Sequence, residues 1–109
     1  MEMPEWLKRV QENLAKSNIK QLFADEALVM GAVKIGKTSD GKLKKEGNVR
    51  IAFVDMTTTQ PVAKIVISVS TARGLMNALG EQLKRLEKDL ESKDVPKKSS
   101  EEPLLTYIG

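Results

Sequence analysis

Residues 31–38, GAVKIGKT, match the G-x-x-x-x-G-K-[ST] pattern of a phosphate-binding loop letter for letter. Such a loop follows a strand and leads into a helix whose N-terminus faces the phosphates. Here the intervening residues Ala-Val-Lys-Ile continue a strand-like run, and the Ser-Asp-Gly-Lys after Thr38 favours a turn over a helix. A chain of 109 residues is also short for a doubly wound nucleotide hydrolase. We therefore do not assign nucleotide hydrolysis to this segment.

The composition excludes the commonest catalytic and metal-binding groups. The chain contains no cysteine and no histidine, so it has no thiolate nucleophile, no imidazole base and no zinc site built on sulfur. The carboxylates within strand-like segments are Asp25, Glu26 and Asp55, and nothing in their spacing supports a metal cluster. We predict that the protein is not an enzyme, with no catalytic residue, no metal site and no cofactor.

Basic residues are concentrated between Lys34 and Arg50, a segment called the basic arm below. This segment contains six basic and two acidic residues, so its net charge is +4. Since the whole chain carries +3, the remaining residues sum to −1. The basic residues are Lys34, Lys37, Lys42, Lys44, Lys45 and Arg50. A lysine-rich arm beside a sheet can contact the phosphate backbone of nucleic acid. The alternative is that the arm is a loop whose charges only increase solubility. Because the arm contains no aromatic residue and only one arginine, we expect nucleic-acid binding without sequence preference.

Three kinds of pattern predict the elements that carry this arm. Pro4 and a helical spacing of apolar residues predict a short amphipathic helix over residues 4–16. Extended segments follow from residue 19 to 35, with a bulge or bend expected at Gly31, and then at residues 48–57 and 62–67. Residues 36–48 are predicted to be a hairpin loop or mobile arm. This order predicts an α+β domain over residues 1–92, with three or four antiparallel strands and a long C-terminal helix.

The long helix begins after Ser68, its predicted N-cap, and carries one apolar stripe. Its glycines Gly74 and Gly80 predict close approach to another backbone. A helix of ~33 Å should extend beyond strands of ~20 Å, which would expose its last leucines. We therefore predict a homodimer or higher oligomer. The predicted oligomer interface, called the apolar stripe below, is Met76, Leu79, Leu83, Leu86 and Leu90.

Residues 93–109 are predicted to be a flexible tail that ends in an apolar hexapeptide, LLTYIG. Such a hexapeptide either adds a strand to a sheet edge, serves as a peptide recognised by another protein, or is a frayed end with no role. We expect Leu105, Tyr107 and Ile108 to bind a partner protein.

The segment AKIVISVSTARGLMNALGEQLKRLEKDLE, residues 63–91, resembles the end of a family of short bacterial and archaeal proteins known only as a domain of unknown function. The residues that carry the resemblance begin with Ala63, Lys64, Ile65, Val66, Ile67 and Ser68 and continue with Ala72, Arg73, Leu75, Met76, Ala78 and Leu79. FADEALV, residues 23–29, also resembles the first strand of that family. Val69 replaces the proline usual in the family, and the resemblance covers about half the chain and implies no activity.

These observations favour a small non-catalytic binding module that self-associates and contacts nucleic acid weakly through the basic arm. An alternative is a protein-interaction adaptor recognised through the LLTYIG tail, and a third is an enzyme subunit or regulator without chemistry of its own. The start of the chain shows no signal-peptide pattern and no apolar run is long enough to cross a bilayer, so we expect a cytoplasmic protein. The abundance of Lys and Glu would suit a thermophile.

Overall fold

The computed structural model describes residues 3–92 and 105–108. The predicted α+β architecture is confirmed, with three strands between two helices. The elements are α1 (Glu5–Lys16), β1 (Glu26–Lys37), β2 (Leu43–Asp55), β3 (Gln60–Ser68) and α2 (Val69–Glu91). The predicted flexible tail, residues 93–109, lies outside the described residues except for 105–108.

Helix α1 agrees with its prediction to within one residue. Pro4 takes the N-cap position, where its extended backbone leads into the helix, and Glu5 places an acidic group in the first turn. Residues 19–24, which were predicted to be extended, are not part of the sheet. The sheet begins at Glu26. Just before it, the Asp25 N–H donates to the Val54 carbonyl at 3.1 Å and its carboxylate accepts from the Met56 N–H at 2.8 Å.

The three strands form an antiparallel meander in the order β1-β2-β3. The β1–β2 register runs without a shift from Glu26 opposite Val54 to Lys37 opposite Leu43, so the bulge predicted at Gly31 is wrong. The irregularity lies instead between β2 and β3 at Phe53/Val54, where Val54 pairs with Pro61. Proline has no N–H to give to a regular ladder, and a register shift accommodates it.

The paired strands β1 and β2 extend beyond β3. Strand β3 pairs with β2 only from Asn48 onward, so the first part of β2 has β1 as its sole neighbour. Residues 33–47, called the ribbon below, therefore project from the three-stranded sheet by ~17 Å. The predicted 36–48 loop is wrong in extent, because only residues 38–42 form the turn. The lysines of this segment do not show the apolar alternation that predicts a strand, yet their backbone groups pair like those of any other residue.

Helix α2 begins where it was predicted to begin. The Ser68 hydroxyl accepts from the Thr71 N–H at 3.1 Å, which caps the first turn. The helix contacts β2 and β3, and a Cβ placed on Gly47 would lie 3.2 Å from the Val69 side chain. The start of α2 therefore lies close to the base of the ribbon, and glycine at position 47 leaves room for Val69.

Little apolar surface is buried within one chain. Among the described residues, Leu7 is the only buried hydrophobic side chain, with 5% of its surface exposed. Both sides of the sheet keep exposed apolar residues, as Leu28 (59%) and Val29 (65%) show, because neighbouring residues of a strand point to opposite faces. A fold held mainly by a backbone ladder and one capped helix leaves most of its apolar groups available for contacts with other molecules.

The β2–β3 turn contains a residue with a strained backbone, and replacing that residue with glycine should stabilise the protein. Thr59 has φ 55°, the left-handed region that a β-branched residue rarely occupies. Thr59→Gly should raise the free energy of unfolding by about 1 kcal/mol in urea titrations at fixed protein concentration. In the control Thr57→Gly, which replaces a residue without positive φ, the added flexibility should lower it. A loss of stability in Thr59→Gly would show that the turn is not strained.

Candidate functional site

The structure brings five of the six basic-arm residues onto the ribbon. Lys34 and Lys37 lie on β1, Lys42 lies in the turn, and Lys44 and Lys45 lie on β2. All five are exposed. The sixth, Arg50, is also exposed but belongs to the three-stranded part of the sheet, between Met30 and Val66.

The register divides the lysines between the two faces of the ribbon. Residues directly opposite each other in an antiparallel pair share a face. Lys34 pairs with Glu46 and Gly36 pairs with Lys44, so Lys34, Lys44 and Glu46 lie on one face. Lys37 and Lys45 lie on the other face, and Lys42 is at the tip. The ribbon therefore presents positive charge on both faces and at its end.

One ion pair offsets part of this charge. Lys44 Nζ lies 3.0 Å from Glu46 Oε1, and both side chains are more than half exposed. It is the single ion pair within residues 3–92 and 105–108, so the other lysines of the ribbon keep their charge available. A shallow depression on the ribbon is lined by Lys34, Gly36, Lys37, Lys44 and Glu46. The side chains of Lys34, Lys44 and Glu46 share the face of the ribbon on which the depression can hold charge, whereas the Lys37 side chain belongs to the opposite face.

The turn at the tip of the ribbon is well defined. The Thr38 N–H donates to the Lys42 carbonyl at 2.8 Å, the Gly41 N–H donates to the Thr38 carbonyl at 3.0 Å, and Gly41 supplies the positive φ of 82°. The Asp40 carboxylate accepts from the Thr38 hydroxyl and from the Lys42 N–H. Both hydrogen bonds lower the pKa of Asp40 below its ordinary value, and the bond from the Thr38 hydroxyl has the larger effect. Its contribution to the turn is thus present at neutral pH and is lost as the pH falls through that lowered pKa.

The structure also locates the phosphate-loop motif. Gly31 to Lys37 lie within β1, and Thr38 opens the turn at the ribbon tip. The element that follows Thr38 in the chain is strand β2, so the motif does not lead into the helix that a phosphate-binding loop requires. As expected from the sequence, the motif lacks its structural context.

The carboxylates within the strand-like segments organise turns. Asp25 accepts from the Met56 N–H, and Asp55 accepts from the Thr57 N–H at 2.9 Å. Within the described part of the chain, no group of three or more acidic residues lies close enough together to hold a metal ion. Asp25 and Asp55 thus have structural partners of their own.

The apolar stripe of α2 is open along its whole length. The exposed fractions are 65% for Met76, 53% for Leu79 and Leu83, 47% for Leu86 and 83% for Leu90. The strands, at 9 to 13 residues, are longer than the ~6 assumed from the sequence, so helix length is not what exposes the stripe. The cause is orientation, because half-buried residues such as Gly74, Ala78 and Gln82 occupy a different side of the helix.

The described part of the tail lies against that second side of α2. Ile108 packs on Gly74, at the place where a Cβ would stand, and the Thr106 hydroxyl is hydrogen-bonded to the Gln82 side-chain amide. Tyr107, which alternates with these two residues, makes an edge-to-face contact with Trp6, with ring centroids 5.6 Å apart. Residues 105–108 form neither helix nor strand. Sequence reasoning missed this placement, and a partner protein bound by Leu105, Tyr107 and Ile108 stays a prediction.

This tail segment links the two helices. No Cα of α1 lies within 8 Å of a described Cα in the sheet or in α2. The Trp6–Tyr107 contact on one side and the Ile108–Gly74 contact on the other therefore place the tail between α1 and α2. Close approach to another backbone was predicted for Gly74, and the structure places the Ile108 side chain there instead. A Cβ built on Gly80 would meet no described atom of this chain within 4 Å beyond its own helix, so the sheet does not approach Gly80 closely.

Comparisons with protein-family models, with curated proteins and with solved structures found no match to this chain. The resemblance of residues 63–91 to a family of unknown function therefore stays a prediction. Neither of the described helices is long and apolar enough to cross a membrane. What the protein does must be inferred from the geometry of the ribbon, the stripe and the tail.

The two glycines of α2 provide a matched test of the tail contact. Gly80→Ala should raise the free energy of unfolding by about 1 kcal/mol, since alanine favours helix and nothing is displaced. Gly74→Ala should raise the free energy of unfolding by less, because its methyl group would collide with Ile108 and push the tail away. Moving Tyr107 off Trp6, the single tryptophan, should also reduce the near-UV circular dichroism of that ring. Equal stabilisation with an unchanged spectrum would contradict the tail position.

Proposed function

We propose that this protein is a self-associating, non-catalytic binding module whose ribbon contacts the phosphate backbone of nucleic acid without sequence preference. The observation that carries the proposal is the projecting ribbon, which holds five exposed lysines, one of them in an ion pair. A cytoplasmic location, where nucleic acid is accessible, is part of the same proposal.

The chemistry of the ribbon suits a polyanion better than a single base. Lysine is a compact charge on a flexible stem, so it follows phosphate groups and reads base edges poorly. The lysines lie on two faces and at the tip, which allows contacts with phosphates on more than one side of the ribbon. The four aromatic residues of the chain, Trp6, Phe23, Phe53 and Tyr107, all lie outside the ribbon, so it offers no platform for base stacking.

Self-association would make such weak contacts useful. One ribbon engages few phosphates, and each contact is weakened as salt rises. Two or more ribbons on one assembly bind the same strand with a high effective concentration once the first is engaged. The open apolar stripe supports assembly, because monomers rarely keep contiguous exposed leucines without a partner.

The ribbon lysines provide the first test. Lys42→Gln, Lys44→Gln and Lys45→Gln together should weaken binding to a fluorescent oligonucleotide and flatten its salt dependence, since up to three phosphate contacts are lost. The matched control is Lys8→Gln, Lys16→Gln and Lys20→Gln, which removes the same charge away from the ribbon. Fluorescence anisotropy at two salt concentrations measures both. Equal effects in the two variants would show that only net charge matters and would remove the ribbon from the mechanism.

The apolar stripe provides the second test. Leu86→Lys should shift the protein towards monomer, because it places a charge where a second copy would bury an aliphatic group. Asn77→Lys adds the same charge elsewhere on α2 and should leave the assembly intact. Sedimentation velocity at high micromolar concentration reports the mass. A wild-type protein that sediments as a monomer under these conditions would overturn the self-association part of the proposal.

A further inference from the structure

The two edges of the sheet differ in how well they are protected. Sheet edges expose unpaired backbone groups, and proteins guard them with charges, prolines and bulges. On the edge strand β3, Pro61 lacks an N–H, Lys64 adds a charge, and the register shift disrupts regularity. On the edge strand β1, the seven residues between Glu26 and Lys34 contain no charge, no proline and no bulge. The stretch Ala27 to Val33 is thus an unguarded edge.

The ladder determines which backbone groups of β1 face outward. Thr38 and Lys42 form a hydrogen-bonded pair, and such pairs alternate along an antiparallel ladder. Since the register is unbroken, the even-numbered residues of β1 bond to β2 and the odd-numbered ones point away from it. Ala27 confirms this, because its N–H donates to the Glu26 carboxylate at 3.0 Å. The outward groups within the uncharged stretch belong to Ala27, Val29, Gly31 and Val33.

We propose that β1 pairs antiparallel with β1 of a second copy of this chain, about a two-fold axis at Met30. In this register Glu26 lies opposite Lys34 of the second copy, on the same face of the sheet, and the pair occurs twice. Ala27 lies opposite Val33 and Val29 lies opposite Gly31, so the outward groups of both chains meet in about eight hydrogen bonds. Pairing releases Glu26 from Ala27 and offers its carboxylate an ammonium group.

The charges select this register over its neighbours. An axis at Gly31 would place Leu28 opposite the second copy's Lys34 and Glu26 opposite Gly36. An axis at Val29 would place Glu26 opposite Ala32. Only the axis at Met30 brings opposite charges together at both ends while uncharged residues face each other between them. Opposite charges facing across a ladder stabilise it, and like charges destabilise it.

The paired strands would form one continuous six-stranded sheet with the two ribbons at opposite ends. This surface is separate from the apolar stripe of α2, so the inference goes beyond the proposed function. With both surfaces engaged, the chain would form a closed tetramer or an open array, depending on the relation of the two axes.

Charge reversal tests the register directly in the full-length protein. Glu26→Lys alone, or Lys34→Glu alone, places like charges opposite each other twice and should weaken β1 pairing at least about tenfold in sedimentation equilibrium. The two variants mixed in equal amounts should form a heteromer, since each then meets the opposite charge. One chain carrying both substitutions should regain wild-type association. Circular dichroism verifies that each variant is folded.

The same assay distinguishes this inference from the proposed function. Association that Leu86→Lys abolishes, but that neither charge reversal alters, would overturn β1 pairing and leave the apolar stripe standing. Association that follows the charge reversals and ignores Leu86→Lys would support β1 pairing and overturn the stripe. A mixture without preference for the heteromer would also overturn the proposed register.

A cysteine placed at the axis gives a second, independent measurement. The chain has no cysteine of its own, so Met30→Cys should form a disulfide-linked dimer under mild oxidation, because the two Cβ atoms at a two-fold axis are close enough to bridge. Leu28→Cys is the matched control, with a similar exposure in the wild-type residue (59% against 61% for Met30). Its two copies would be separated by ~13 Å along the strands, which is too far for a disulfide. Equal cross-linking of both variants, or none of Met30→Cys, would overturn the proposal.

Discussion

The β1–β2 ladder is the interaction on which the rest of this structure depends. Twelve consecutive residue pairs run from Glu26 opposite Val54 to Lys37 opposite Leu43 without interruption. Backbone hydrogen bonds contribute modestly one at a time, but a ladder of this length holds its strands in one register. The ladder places the lysines on two faces, carries them beyond β3 and leaves one side of β1 open to solvent. Ribbon, charge distribution and exposed edge are thus consequences of the same pairing.

The hydrophobic effect has little to act on within a single chain. With Leu7 as the only buried apolar side chain among the described residues, the stabilisation that normally offsets the loss of chain entropy is small. A small domain with exposed apolar residues on the sheet and on α2 gains most by burying them against another molecule. This shortage, more than any single contact, is why assembly is central to the proposed function.

The tail contributes a different kind of stabilisation. Residues 105–108 contact Trp6 on α1 and Gly74 and Gln82 on α2, so this short segment joins two helices whose Cα atoms lie more than 8 Å apart. Tyr107 contacts one helix and Ile108 contacts the other, so neighbouring side chains of this segment reach opposite sides. The position of α1 therefore depends on residues that are distant from it in sequence.

The sequence by itself determined the elements. The strand over residues 62–67, the Ser68 cap and the three- and four-residue spacing of α2 are local patterns, and local patterns specify local backbone conformation. The glycine in the turn at residues 38–42 and the concentration of lysines around it were equally visible. Tertiary structure decided what these elements meet. Four features depend on partners far along the chain. They are the extension of β1 and β2 into the predicted loop, the irregular register opposite Pro61, the packing of the tail on Gly74, and the orientation that leaves the apolar stripe open. Amphipathic spacing predicts that a face is apolar, but only packing decides whether that face is covered.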